Sequence, residues 1–364
     1  MPSLLSPRRS VSGIRTGVTA LAERVATPLV PSDYIDLVSP LASGAELRGR
    51  IVGVLPETAD AATLVIKPGR AWEGHRPGQY VRVGVDIDGV RHWRAYSLTS
   101  SPDRPDRNIT ISVKAIEDGL VSNHLVHRVQ AGTVIQLDQA TGDFTLGERS
   151  ERKQLFITAG SGITPVMGML RGHPEKLRGS VLIHSAPTGR DVIFGRELRG
   201  LADDGRIELI EIHTDRVGML APANLEAMVP DLAEREIRAC GPTAMLDSIE
   251  EHLETLGLAD RLHTERFRPV VVVTGEGGVI DFTESQISAE GDGATPILDV
   301  GEGAGVLMPS GCRMGICFGC VAPLRRGAVR DLRNGALTTA TDDGDGVVIQ
   351  TCVSAAAGDC DIDL

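Results

Sequence analysis

The stretch that most constrains this chain is Cys312-Arg-Met-Gly-Ile-Cys317-Phe-Gly-Cys320, a C-x4-C-x2-C loop answered by Cys352 near the C-terminus. Three thiolates on one short loop, with a fourth from a distant segment, is the spacing of plant-type 2Fe-2S clusters, whose irons take two cysteine sulfurs each. Gly311, Gly315 and Gly319 interleave with the cysteines, as they should if the backbone curls round an inorganic core and turns N–H groups toward sulfur. Cys312, Cys317, Cys320 and Cys352 are therefore the candidate metal ligands. A structural zinc site would use paired C-x2-C knuckles, but Cys352 has no such partner. A disulfide framework needs an oxidising compartment, and the first residues do not resemble a cleaved secretory signal. Cys360 fits no motif.

At 364 residues and 41% hydrophobic content, the chain is long enough for two or three domains, each burying its own core. No apolar run approaches the roughly 18 residues of a membrane-spanning helix, so a soluble, cytoplasmic protein is expected. The net charge of −12 is uneven: from Gly277 onward there are thirteen acids against five arginines. That balance argues against nucleic acid as a partner. It suits docking onto a basic protein patch or simple solubility.

Taken in order, residues 1–45 form an N-terminal arm carrying Arg8, Arg9 and Arg15 before any acid. Val18, Leu21, Ala22 and Val25 make one short helical stripe. Such an arm packs on the next domain or touches an anionic bilayer peripherally. Residues 46–150 break into short β-branched runs, with Asp88-Gly89 as a hairpin turn, and predict a small antiparallel barrel. Residues 151–269 alternate strands (Leu155–Thr158, Ser180–His184, Ile207–His213, Ile237–Cys240) with helical patterns, which predicts an α/β domain with a parallel sheet. Ligands bind such sheets at the carboxyl ends of the strands. Residues 270–364 hold the acidic cysteine domain, with short strands and a helix from Pro296 to Gly303.

Three further motifs carry chemistry. Gly160-Ser-Gly162-Ile-Thr164-Pro165 lies between a strand and a helix, where free N–H groups favour a phosphate. Cys240-Gly241-Pro242 is another strand-end turn in the same domain. Arg94-Ala-Tyr96-Ser97-Leu98 on the barrel offers a forked donor for a pyrophosphate, a flat face, and a small hydroxyl for a heteroaromatic edge. Each alone has an ordinary reading: a surface ion pair, a core tyrosine, a tight glycine turn.

Together, Arg94-x-Tyr96-Ser97, Gly119-Leu-Val121-Ser122, Gly160 to Pro165, Cys240-Gly-Pro242 and Glu265-Arg-Phe267 resemble the ferredoxin-NADP reductase superfamily. The C-x4-C-x2-C loop is similar to the fused C-terminal ferredoxin module of many members. The resemblance implies a flavin on the barrel, a pyridine nucleotide on the α/β domain and an α+β (β-grasp) 2Fe-2S domain. It implies that Arg94 holds flavin phosphate, Tyr96 stacks on the isoalloxazine, and Ser97, followed by Leu98, lies beside the ring's N5. Gly119, Val121 and Ser122 would complete the pyrophosphate site. Gly160, Gly162 and Thr164 would cradle the dinucleotide, while Cys240, Gly241, Pro242 and Glu265 would border the nicotinamide. Ser97, Cys240 and Glu265 are the catalytic candidates; no His or Lys in its motif would make Cys240 a thiolate nucleophile.

The Gly119/Ser122 motif and Thr141-Gly-Asp-Phe144 resemble FAD-binding members more than FMN-binding ones. An acid after the strand ending at Ser185 would bind the ribose of NADH, whereas a basic group suits a 2′-phosphate. With Ser185 and Arg190 in place and Asp191 only after them, NADPH is expected over NADH. The implied activity is NADPH-dependent electron transfer through flavin and cluster to an acceptor protein. Thr27-Pro-Leu-Val-Pro-Ser-Asp-Tyr34, Pro40-Leu41 and Trp72 to Tyr80 are most similar to reductases serving membrane diiron acyl-CoA desaturases. A soluble aromatic-ring or alkane oxygenase is the other acceptor class, and a flavin/iron-sulfur redox sensor is the reading from another class.

Overall fold

The computed structural model describes residues 41, 46–117, 119–147, 152–175, 177–267, 273–315, 318–341 and 346–364. The arm, with its expected helical stripe and arginines, and Cys317 lie outside the described residues.

The first sheet is antiparallel and contains β1 (Arg48–Thr58), β2 (Ala61–Pro68), β3 (Tyr80–Ile87), β4 (Val90–Ser97), β5 (Ile109–Lys114) and β6 (Val134–Leu137), in the order β4-β3-β6-β1-β2-β5. Leu98, just past β4, bridges Ile111 in β5 and brings the two ends of the sheet together as a barrel. The β3–β4 hairpin turns on Asp88-Gly89, both with positive φ (51° and 83°), as a two-residue type I′ turn requires. Ile51, Leu64, Ile66 and Ile111 are fully buried inside, and helix α1 (Leu120–His127) adds Val121 and Leu125 to that core.

The second sheet is parallel. It is built from β7 (Gln154–Ala159), β8 (Ser180–Ala186), β9 (Ile207–His213), β10 (Glu236–Cys240) and β11 (Leu262–Glu265), in the order β11-β10-β7-β8-β9. Helices α2 (Ile163–Gly172), α3 (Gly195–Asp203), α4 (Thr214–Val217), α5 (Leu225–Met228) and α6 (Thr243–Thr255) connect the strands. Strand order reverses between β7 and β10, so the crevice at their carboxyl ends is the topological switch point where such sheets bind ligands.

In the third sheet β12 (Gly278–Phe282), β13 (Ile287–Gly291), β14 (Val321–Asp331), β15 (Leu337–Ala340) and β17 (Ser354–Ile362) run in the order β13-β12-β17-β14-β15, with β16 (Val347–Gln350) also pairing β14. Only β12 and β17 pair in parallel here. Helix α7 (Ile297–Gly303) buries Ile297 and Leu298 in the same core as Phe282 and Met308. The helix packed on a mixed sheet is the expected β-grasp.

The barrel and the α/β unit do not bury wholly separate cores, since Ala61 and Phe144 belong to one apolar cluster with Phe156, Val166 and Leu182. The cause is the close approach of α2 to the barrel. A Cβ on Gly168 would lie 2.3 Å from the carbonyl oxygen of Leu98. Arg171 Nη1 donates to the Thr99 carbonyl at 2.7 Å, while its guanidinium pairs with Glu197 and lies over the Phe194 ring.

Candidate flavin, nucleotide and cluster site

Strand β4 delivers Arg94, Tyr96 and Ser97 to the wall of a cavity of about 1650 Å3, larger than the pocket a single drug-sized molecule needs. The Ser97 hydroxyl is buried and has no hydrogen-bond partner among the described residues. A buried orphan of this kind costs free energy unless a ligand satisfies it, which fits a ring edge. Tyr96 is half-buried; burial raises its phenol pKa, with Arg94 opposing, so it stays neutral and can present a flat face. Arg94 donates from Nη1 to the Trp93 carbonyl at 2.8 Å, and burial followed by Arg313 lowers its proton affinity. Beside them the N-terminus of α1 brings in Gly119, Val121 and Ser122. A Cβ on Gly119 would sit 2.4 Å from both Ile116 Cγ1 and Ser122 Oγ, so the tight start of this helix requires glycine. These residues fit a flavin with a phosphate tail.

The crevice at the carboxyl ends of β7 and β10 is assembled by backbone contact. A Cβ on Gly162 would lie 2.0 Å from the Cys240 carbonyl oxygen, and one on Gly241 would lie 2.6 Å from Met245 Cε. The turns after β7 and β10 thus touch directly. Thr164 ties its own turn by donating to the Ser161 carbonyl at 2.9 Å, and both residues reach the large cavity. Pro242 precedes the first turn of α6, and Gly160 opens a 3-10 turn at the end of β7.

Thr158, Cys240 and Glu265 are register neighbours across β7, β10 and β11. Burial and then Glu265 push the Cys240 thiol well up, which keeps it neutral and unsuited to nucleophilic work. Burial also pushes the Glu265 carboxyl up to about 8, and its Oε2 has no partner among the described residues. At neutral pH this group is an acid holding a proton. At the end of β8, Ser185 faces Ala159. Asp191 accepts from the Thr188 amide (3.0 Å) and hydroxyl (2.6 Å), so it braces its own loop, while Arg190 is exposed.

In the third domain Cys312, Cys320 and Cys352 are buried at 5%, 1% and 3% exposure. Cys320 and Cys352 are in side-chain hydrogen-bond contact, and the Gly315 amide donates to Cys352. The Met314 amide donates to Cys312 Sγ at 3.3 Å. Among the described residues no three ligating side chains converge on one point. A two-iron cluster divides four sulfurs two to each iron, so convergence in pairs is what it requires, and amide donors to sulfur tune such clusters. Gly315 has φ +73°, and a Cβ there would lie 2.5 Å from Arg333 Nη1. Its carbonyl accepts from Arg333 Nη1 (2.9 Å) and Gln350 Nε2 (3.0 Å). The three described cysteines and their donors fit a 2Fe-2S cluster.

Leu98 is fully buried in the barrel core, its amide bonded to the Gln79 carbonyl, so it supports the site from behind. Ser122 Oγ is already engaged by the Ile116 amide and the Gly119 carbonyl. Thr141 and Phe144 line a second cavity of about 740 Å3 with Tyr80, Glu265 and Met314. Sequence reasoning missed the contribution of the ferredoxin domain to the large cavity: Asp299, Glu302, Met308 and Arg313 line it together with Arg94. No periodicity marks those residues, because a fold contact between distant domains leaves no local pattern.

An oxidoreductase FAD-binding domain model matches residues 58–146, and a 2Fe-2S iron-sulfur cluster binding domain model matches residues 281–357. The chain is 46% identical over 351 residues to an NADPH oxidoreductase of Mycobacterium tuberculosis, covering 94% of this chain and 91% of the relative. It is 30% identical over 338 residues to a glycine betaine monooxygenase reductase subunit of Chromohalobacter salexigens, covering 83% and 91% of the two chains. Among solved structures, phthalate dioxygenase reductase superposes with a TM-score of 0.60 at 22% identity, covering 88% of this chain and 98% of that one. The fold and the matched domains define a flavin- and iron-sulfur-dependent oxidoreductase. The chain belongs to the ferredoxin-NADP reductase superfamily, in the branch that carries an FAD-binding domain and a C-terminal 2Fe-2S domain together.

Proposed function

We propose that the protein takes electrons from NADPH and passes them through FAD and the 2Fe-2S cluster to a membrane diiron acyl-CoA desaturase. The observation that carries the electron path is one cavity lined both by Arg94, Tyr96 and Ser97 and by Cys312 and Cys352. FAD supplies the conversion of a two-electron hydride donor into one-electron transfers, and the cluster supplies a one-electron acceptor.

The polypeptide's work is positional. Arg94 neutralises phosphate, Tyr96 supplies a stacking face, and the unpaired Ser97 hydroxyl is available to the ring edge. Gly160, Gly162, Thr164, Gly241 and Pro242 shape the dinucleotide crevice. Cys240 is a small neutral wall, and the protonated Glu265 holds a proton at Oε beside it. Ser185 and Arg190 recognise the 2′-phosphate, Asp191 being occupied by Thr188. Cys317 joins the three described cysteines as the fourth ligand. The working units run over residues 46–150, 151–269 and 270–364, behind an arm of residues 1–45.

An anaerobic titration tests the donor side. NADPH bleaches both flavin and cluster absorption at lower concentration than NADH, whereas equal potency would remove the NADPH reading. Rapid turnover with cytochrome c would exclude a sensor that does not turn over. The desaturase reading rests on the resemblance of the Thr27–Tyr34 and Trp72–Tyr80 stretches. Purified protein, NADPH and membranes bearing a desaturase should form oleate, and no product above the level without reductase sinks this acceptor. The second reading, an oxygenase reductase, is favoured by the relative that serves glycine betaine monooxygenase.

A further inference from the structure

Arg313 sits between Cys312 and Met314 with φ +58°, a conformation that non-glycine residues seldom adopt. Its side chain leaves the cluster loop for α7, where Nη1 donates to Asp299 Oδ1 at 2.7 Å and Nη2 pairs with Glu302. Asp299 and Glu302 stand three residues apart and so share a face of the helix. Two like charges at that spacing repel, and Glu302 also lies in the last turn, where the helix dipole disfavours an anion. Asp299 stands in the first turn, where the dipole favours it, so Glu302 is the carboxylate that depends most on a bridging cation.

The same acidic face lines the large cavity together with Arg94 and His92. Arg94 feels Arg313, Glu302 and Asp299 as charged neighbours, and His92 feels Arg94, Glu302 and Arg313. With Arg313 in place, the two carboxylates and the two guanidiniums balance. Without it, two carboxylates would compete with an anionic ligand for Arg94.

We propose that Arg313 is a positioning residue for the flavin: by binding Asp299 and Glu302 it leaves Arg94 free for the flavin phosphate, and so links flavin retention to the cluster loop. The inference rests on the reading that flavin phosphate lies at Arg94. In the flavin-binding reaction Arg313 acts through α7 and Arg94, with no contact to the ligand required.

The test is FAD affinity, measured by flavin fluorescence on refolded or flavin-stripped full-length protein, with cluster absorption recorded alongside. Arg313→Gln should raise the Kd about tenfold, the scale of one unmasked charge in a partly buried site, and the loss should shrink as salt screens the carboxylates. Combining Arg313→Gln with Asp299→Asn and Glu302→Gln should restore the Kd to within about twofold. Asp299→Asn with Glu302→Gln alone should bind FAD at least as tightly as the parent, which keeps the idea testable if Arg313→Gln misfolds. An unchanged Kd in Arg313→Gln overturns the proposal. So does a triple variant as weak as the single, which would make Arg313 a direct ligand. Arg94→Gln separates the two readings: if it leaves the Kd unchanged, the phosphate site itself is misplaced, whereas a large loss there with no effect at Arg313 sinks only the present inference.

Discussion

Two loops, the Gly160–Thr164 turn after β7 and the cysteine loop of the third domain, are held by different forces. The Gly160–Thr164 turn is set by backbone touching backbone, with Gly162 pressed on the Cys240 carbonyl. The cluster loop is set by side chains reaching in from elsewhere. Arg333 and Gln350 hold the Gly315 carbonyl, and Arg313 is anchored to α7. Steric close packing is insensitive to salt and intolerant of one added methyl. Charge-assisted tethers tolerate changes in shape but respond to salt and to loss of either partner. The crevice between β7 and β10 is therefore built for fixed geometry, whereas the cysteine loop responds to salt and to the loss of a tether.

The largest effect expected is at the cluster loop. Cys320→Ser removes one of the paired sulfurs, and essentially all cluster absorption should disappear while NADPH still bleaches the flavin. Retained cluster absorption would break the ligand assignment. Gly162→Ala should cost about 3 kcal/mol of stability by overpacking and weaken NADPH binding, with FAD affinity kept; urea unfolding and NADPH titration read both. A variant as stable as its parent would mean that the two turns are not locked together.

The α/β unit carries two buried titratable groups with opposite signs of pH response. His184 is fully buried, its Nδ1 sharing a hydrogen bond with Thr158 Oγ1 at 2.8 Å, and burial lowers its pKa from 6.5 to about 4. Its contribution is complete above pH 6.5 and is lost as pH falls toward 4, by on the order of 3 kcal/mol. Replacing His184 with Gln should flatten that stretch of the urea stability profile. Glu265 runs the other way. Its folded pKa of about 8 lies above the ordinary 4.5, so stability is greatest below pH 4.5 and falls as pH rises to 8. Glu265→Gln should remove that decline, and an unchanged profile would show that the carboxyl is not buried as described.

The smallest effect is expected for Arg333→Gln, which gives up the ion pair with Asp331 and a bond to Gly315. Cluster loss during incubation should speed up by roughly two- to fivefold, more at low salt than at high salt. A salt effect of equal size on the stability lost in Gly162→Ala would erase the contrast between the two loops.

Much of this was legible without coordinates. The hairpin at Asp88-Gly89, the helix at Ile297–Gly303 and the parallel strands ending at Ala186 and Cys240 all follow from local periodicity and turn chemistry. The cysteine loop and the Arg94–Ser97 wall are compact in sequence, so they too could be read. Alternation along a strand shows that neighbouring residues point apart, but only the closed barrel shows that the Leu98 side chain lies on the core side. Phe144 joined the α/β core because α2 lies against the barrel, a contact between segments with no shared pattern.

The sequence by itself determined the chemistry of each unit, since spacing of cysteines and glycines and the alternation of strands are local properties of the chain. Tertiary structure alone decided that Arg94 and the Arg313–Asp299–Glu302 group line one cavity, and that Cys240 and Glu265 face each other in register. Burial and the distances between charges arise only when remote segments pack. The field around Arg94 and the raised pKa of Glu265 are for that reason properties of the assembled fold.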